Sequence, residues 1–123
     1  MDELAELLAA KVGIDKAVAE KAIGIILGFL QKEGPADPVG ELIKAIPGAK
    51  DAVEASASEG GGLLGGLMGG GLMALGGKLM GLGLGMGEIQ SLSRTLFAYG
   101  REKIGEDKMG EIVAGTPGLS QFA

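Results

Sequence analysis

Residues 60–87 read GGGLLGGLMGGGLMALGGKLMGLGLGMG, and no other stretch restricts the fold as much. The run holds 14 of the chain's 25 glycines, and its other positions are Leu, Met, Ala and the single Lys78. Glycine in a helix interior costs about 1 kcal/mol relative to alanine. Residues 54–71, where glycine is densest, are therefore expected to form a linker. An ordinary linker is Gly and Ser, but this one carries Leu63, Leu64, Leu67 and Met68, whose side chains favour burial. From residue 72 the pattern Leu72, Met73, Leu75, Leu79, Met80 predicts a helix that is apolar around most of its girth. Such a helix belongs in a core or an interface. Met68, Met73, Met80 and Met86 make that surface adaptable.

The glycine run separates two segments that align with each other, without a gap, at a shift of 70 residues. DPVGELIKAIPG at 37–48 meets DKMGEIVAGTPG at 107–118. Asp37, Gly40, Glu41, Pro47 and Gly48 thereby match Asp107, Gly110, Glu111, Pro117 and Gly118. Val39, Leu42 and Ile43 fall on Met109, Ile112 and Val113, so the apolar positions correspond as well. Self-similarity at a fixed shift is the mark of a repeated structural unit.

Each segment carries helix signals. Leu4, Leu7, Leu8 and Val12 are helically spaced, and Val12-Gly13-Ile14 marks a turn. Asp15 is an expected N-cap, its carboxylate accepting from unpaired amides of the next turn. Val18, Ala22, Ile25, Ile26, Phe29 and Leu30 make one apolar stripe, and Gly34 ends it. Asp37-Pro38 starts another helix as cap and first residue. In it Val39, Leu42, Ile43 and Ile46 face inward, up to Pro47-Gly48. The second segment repeats the plan. A helix over 86–104 buries Ile89, Leu92, Leu96 and Phe97, Gly105 stops it, and Asp107 caps a short helix ending at Thr116. No stretch alternates apolar and polar residues over strand length. The expected fold class is all-α: two pseudo-repeated units of about three helices each, residues 1–53 and 72–123. Joined by residues 54–71, they pack into one orthogonal or bundle-like domain of 123 residues.

Composition removes most chemistry. The chain has no His, Cys or Trp, which excludes Ser-His-Asp and Cys-His catalysis, imidazole or thiolate metal sites, and disulfides. Gly77-Lys78 fails as a phosphate loop, because Leu72 stands where its first glycine belongs and Leu79 where Ser or Thr would hold magnesium. Glu102, Glu106, Asp107 and Glu111 form a carboxylate cluster without EF-hand spacing. A divalent-cation or enzymatic role for them is the remaining chemical alternative; a capped, solvated turn is the simpler reading. Arg94 and Arg101, seven residues apart, share one helix face, read as solvated surface. No catalytic residue, metal or cofactor is expected. The net charge of −5 and the scattered bases argue against nucleic-acid binding.

Gly61/Gly65/Gly69 and Gly62/Gly66/Gly70 recur every four residues, the spacing of close-packed membrane helices. Residues 60–77 lie near the lower length limit for a span, yet Glu59 and Lys78 bracket them and basic flanks are missing. Membrane contact through this segment is the second functional reading. The opening MDELAELLAAKV begins with acids and lacks an apolar signal core, which leads us to expect a cytoplasmic protein.

The phrases KAIGIILGFLQKEGPAD, LIKAIPGA, LMALGGKLMGLGLGMGEIQSL and GEIVAGTPGLSQF together resemble a family of small bacterial proteins of unknown function. In that family two helical halves flank a Gly/Leu-rich middle. The resemblance implies an all-helical fold and brings no activity or site residue. The sequence thus points to a non-enzymatic interaction protein that buries an apolar surface against itself, as a homodimer, or against a protein partner. Leu63, Leu64, Leu67, Met68, Leu72, Met73, Leu79 and Met80 are the residues expected to carry it.

Overall fold

The computed structural model describes residues 2–59 and 72–116. The fold is all-helical, and no strand occurs among the described residues. Helix α1 (Asp2–Leu8) runs into a wide π-helical turn (Ala9–Gly13), followed by α2 (Lys16–Glu33), α3 (Ala36–Ala45) and α4 (Ala49–Glu59). Beyond residues 60–71 come α5 (Leu72–Gly81), α6 (Met86–Ile104) and α7 (Glu106–Gly115).

The long helices α2 and α6 organise the core. Helix α2 packs on α1, α3, α4 and α5, while α6 packs on α1, the π-helical turn, α3, α5 and α7. Ile23, Ile26, Leu27 and Leu30 from α2 and Ile89, Leu92, Leu96 and Phe97 from α6 are all essentially without solvent exposure. Leu4, Leu8, Leu42, Leu79, Met109 and Ile112 complete this core from the shorter helices. Burying one such aliphatic side chain contributes roughly 1.5–3 kcal/mol, so the core outweighs any surface pairing. The Lys108–Glu41 ion pair between α7 and α3, nearly half exposed on both sides, belongs to that weaker class.

Helix α4 changes the expected layout. It continues through Glu59, so residues 54–59 of the expected linker are helical and the first unit holds four α-helices rather than about three. Ala49 and Val53 are buried where α4 packs along α2, with Val53 over Gly28. A Cβ on Gly28 would lie 3.7 Å from Val53 Cγ1, ordinary contact distance. Small residues on both helices bring the axes together, and α2 is consequently covered on two flanks. Of the expected stripe, Ala22, Ile26 and Leu30 are buried and Val18, Ile25 and Phe29 half-buried, while Ala19, Ile23 and Leu27 beside it are fully buried.

Several helix starts differ by a residue or two from those expected. Asp15 occupies the N-cap position of α2 in extended geometry, but its side chain makes no capping hydrogen bond. Pro35 rather than Asp37 is the N-cap of α3, and Gly105 rather than Asp107 that of α7. Both aspartates sit inside the first turn, where they face the positive end of the helix dipole. Helix α6 begins with a contact the sequence reading missed, the Gly85 N–H donating to Glu88 Oε1 at 2.9 Å. Glu three residues after a helix start was the available signal.

Element positions recur at the 70-residue shift. Helix starts at 2, 16 and 36 are matched by starts at 72, 86 and 106. The turns into α2 and α6 pivot on Gly13 and Gly83, at φ +82° and +92°, a region that disfavours any residue with a Cβ. Buried Ala19, Ala22, Ile26, Leu27, Val39 and Leu42 correspond to buried Ile89, Leu92, Leu96, Phe97, Met109 and Ile112.

The two halves meet closely at one junction. A Cβ on Gly115 would stand 2.9 Å from Pro35 Cδ, and one on Gly34 would stand 2.7 Å from Thr116 Oγ1. The buried Thr116 hydroxyl turns inward and donates to the Ile112 carbonyl at 2.7 Å. A second close approach lies at Gly100, where a Cβ would come within 2.9 Å of both Leu42 Cδ1 and Met109 Sδ. Gly40 and Gly110 are different, because no atom lies within 4 Å of a Cβ added there. Both are interior to regular helices. Gly40→Ala and Gly110→Ala are each expected to stabilise the fold by about 0.5–1 kcal/mol, read as a higher urea midpoint. A lower midpoint would mean that these glycines meet packing in solution.

Candidate interaction surface

No buried catalytic constellation exists among the described residues. Among the described residues, no buried side-chain nitrogen or oxygen lacks a hydrogen-bond partner. Glu102, Glu106, Asp107 and Glu111 are all exposed, and among the described residues no three carboxylates converge on a metal-sized site. An open groove of about 580 Å³ runs between α3 and α7. Asp37, Glu41, Lys44, Lys108 and Glu111 line it, mixing both signs of charge at the surface, so it concentrates neither. Arg94 and Arg101 are exposed on α6, as a solvated helix face requires. Tyr99 is buried beneath Lys103, whose ammonium lies 5.1 Å from the ring centre.

The apolar residues expected to carry interaction separate into three groups. Leu63, Leu64, Leu67 and Met68 lie outside the described residues. Leu72 and Met73 open helix α5, but their side chains also fall outside what is described. Leu79 and Met80 are neighbours with opposite fates: Leu79 has no exposure and points into the core, while Met80 is 51% exposed. Across the following turn Met86 is 58% exposed.

The corner joining α5 to α6 is built for this outcome. Leu79 and Leu84 anchor it from below, with Leu82 half-buried beside them. The Leu82 N–H donates to the Leu79 carbonyl at 3.0 Å and the Gly83 N–H to the Met80 carbonyl at 2.9 Å, closing the turn. On the outside, Gly77, Gly81, Gly83 and Gly87 are exposed, with nothing within 4 Å of an added Cβ at any of them. Between residues 76 and 87 the one charge is Lys78. Bare backbone with two exposed thioethers is unusual surface for water, since isolated apolar residues on a monomer normally stand among polar neighbours. Leu7 on α1 is the other large hydrophobic side chain exposed among the described residues, at 36%.

Among the described residues, no helix is long and apolar enough to cross a membrane. Comparison with protein-family models, curated proteins and solved structures gives no match.

Proposed function

We propose that this chain is a non-enzymatic helical interaction protein of the cytoplasm, built from two copies of one helical unit and acting through self-association of its apolar Leu/Met/Gly surface. The observation that carries this reading is the α5–α6 corner, where Met80 and Met86 are exposed beside four uncovered glycines. Methionine suits such a face because its unbranched, polarisable side chain adapts to whatever it meets. Support for the duplication comes from the recurrence, 70 residues apart, of helix starts, positive-φ glycines and buried positions. A shared ancestor accounts for all three at once, whereas two unrelated amphipathic helices account for the apolar spacing alone.

Self-association is favoured over nucleic-acid binding by the net charge of −5, and over catalysis by the lack of a buried titratable cluster among the described residues. The exposed apolar area is modest, so the expected association is weak and concentration-dependent. Light scattering of the intact chain should show mass rising from monomer toward dimer over the micromolar range. The double substitution Met80→Asp/Met86→Asp should hold it monomeric with its helical circular dichroism and melting unchanged. A double mutant that associates as well as the parent would refute this surface. Binding of intact chain to liposomes, lost on deleting residues 60–70, would instead support membrane contact.

A further inference from the structure

We propose that Met80 and Met86 are reversible peroxide-modification sites, and that their oxidation switches off association through the α5–α6 corner. The chain contains no cysteine, so thioethers are its only sulfur nucleophiles. Peroxide therefore has no thiolate to consume it first, and selectivity among the methionines falls to exposure. Exposure separates sharply the three methionines whose side chains are described. Met80 and Met86 are 51% and 58% exposed, whereas Met109 has no exposure. Its sulfur is packed against the α6 backbone, 2.9 Å from where a Gly100 Cβ would stand. The uncovered glycines around Met80 and Met86 offer no side chain to shield either sulfur.

The chemistry balances with hydrogen peroxide as the oxidant. A sulfur lone pair attacks one peroxide oxygen, an S–O bond forms as the O–O bond breaks, and the second oxygen leaves as water. Sulfur is oxidised by two electrons and peroxide is reduced to water. Methionine sulfoxide reductases reverse the step at the expense of thiols. The product is a polar, chiral group where an apolar one stood. Buried in an interface without a donor, each sulfoxide weakens association on the order of tenfold.

The switch rests on the self-association reading, while the assignment of the sites does not, and the test keeps them apart. Dilute intact protein is treated with hydrogen peroxide, and each methionine is followed by peptide mass spectrometry. Met80 and Met86 should gain one oxygen at least tenfold faster than Met109. Equal rates, or slower oxidation at the corner, would overturn the site assignment. Light scattering then compares the protein reduced, oxidised, and oxidised then treated with the reductases. Association should fall on oxidation and return on repair, and Met80→Leu/Met86→Leu should associate with or without peroxide. Undiminished association of the oxidised parent overturns the switch. Reduced protein that stays monomeric overturns the self-association reading and the switch with it, leaving the peptide map to decide the sites alone.

Discussion

Phe97→Ala is expected to lower the free energy of unfolding by about 3–5 kcal/mol, the largest loss available from a single truncation in this core. Phe97 is the bulkiest fully buried side chain, 1% exposed, in the middle of α6. Its removal forfeits both the transfer free energy of the ring and the dispersion contacts of the residues left around the void. Collapse around that void is limited at the nearby Gly100, where Leu42 and Met109 already press on the helix backbone. Domains of this size have only about 5–15 kcal/mol in total, so the variant should be partly unfolded at modest urea concentrations. Phe97→Leu should retain most of the stability, and Ala98→Ser, one residue along on the exposed face, should change it by under about 0.5 kcal/mol. Urea titration followed by circular dichroism compares the three. A Phe97→Ala variant within about 1 kcal/mol of the parent would show that α6 is not packed at this position.

Leu79→Asp and Met80→Asp should part company although they are adjacent on one helix. Leu79 has no exposure, so aspartate there buries a carboxylate with no partner. The penalty for such a group is several kcal/mol, enough to unfold a marginal domain. At Met80 the carboxylate stands in water and the fold should keep its melting temperature, while self-association should fail. Leu79→Asn separates charge from shape, since it leaves a polar group buried but removes the ionic penalty. It should fall between parent and Leu79→Asp. Circular dichroism reads the folding arm and light scattering the association arm. Equal effects of the two aspartates on melting would mean that Leu79 and Met80 are equally buried in solution.

Much of the helical plan was legible from spacing and punctuation. The span of α6 and its buried Ile89, Leu92, Leu96 and Phe97 follow from apolar periodicity ended by Gly105. The inward face of α3, with Val39, Leu42 and Ile43, is equally local in origin. Helix α4 was not legible, because its segment AKDAVEASASE has little hydrophobic character of its own. Its order comes from long-range packing: Ala49 and Val53 are buried along α2, with Val53 over Gly28. Glycines within a helix, here Gly24 and Gly28 of α2, read as weakness until the helix packed alongside is known. The equivalent positions on α6 are Arg94 and Ala98, both exposed, and no described helix covers that face.

The candidate surface shows the same division. Composition alone removed the thiol and imidazole chemistries, and the glycine run alone singled out an apolar, nearly uncharged segment. Which members of that segment face outward is not a property of spacing, because α5 is apolar around most of its girth and every phase of it looks buriable. Packing on α2 and α6 broke that tie by taking Leu79 into the core and leaving Met80 in water. The sequence by itself determined the all-helical class, the helix-ending glycines and the buried faces of α3 and α6, since each depends on contacts or caps within a few residues. The tertiary structure decided the orientation of α5, the helical state of residues 54–59 and the exposure of Met86. Those depend on which neighbour occupies the adjoining space, a long-range fact that no local pattern encodes.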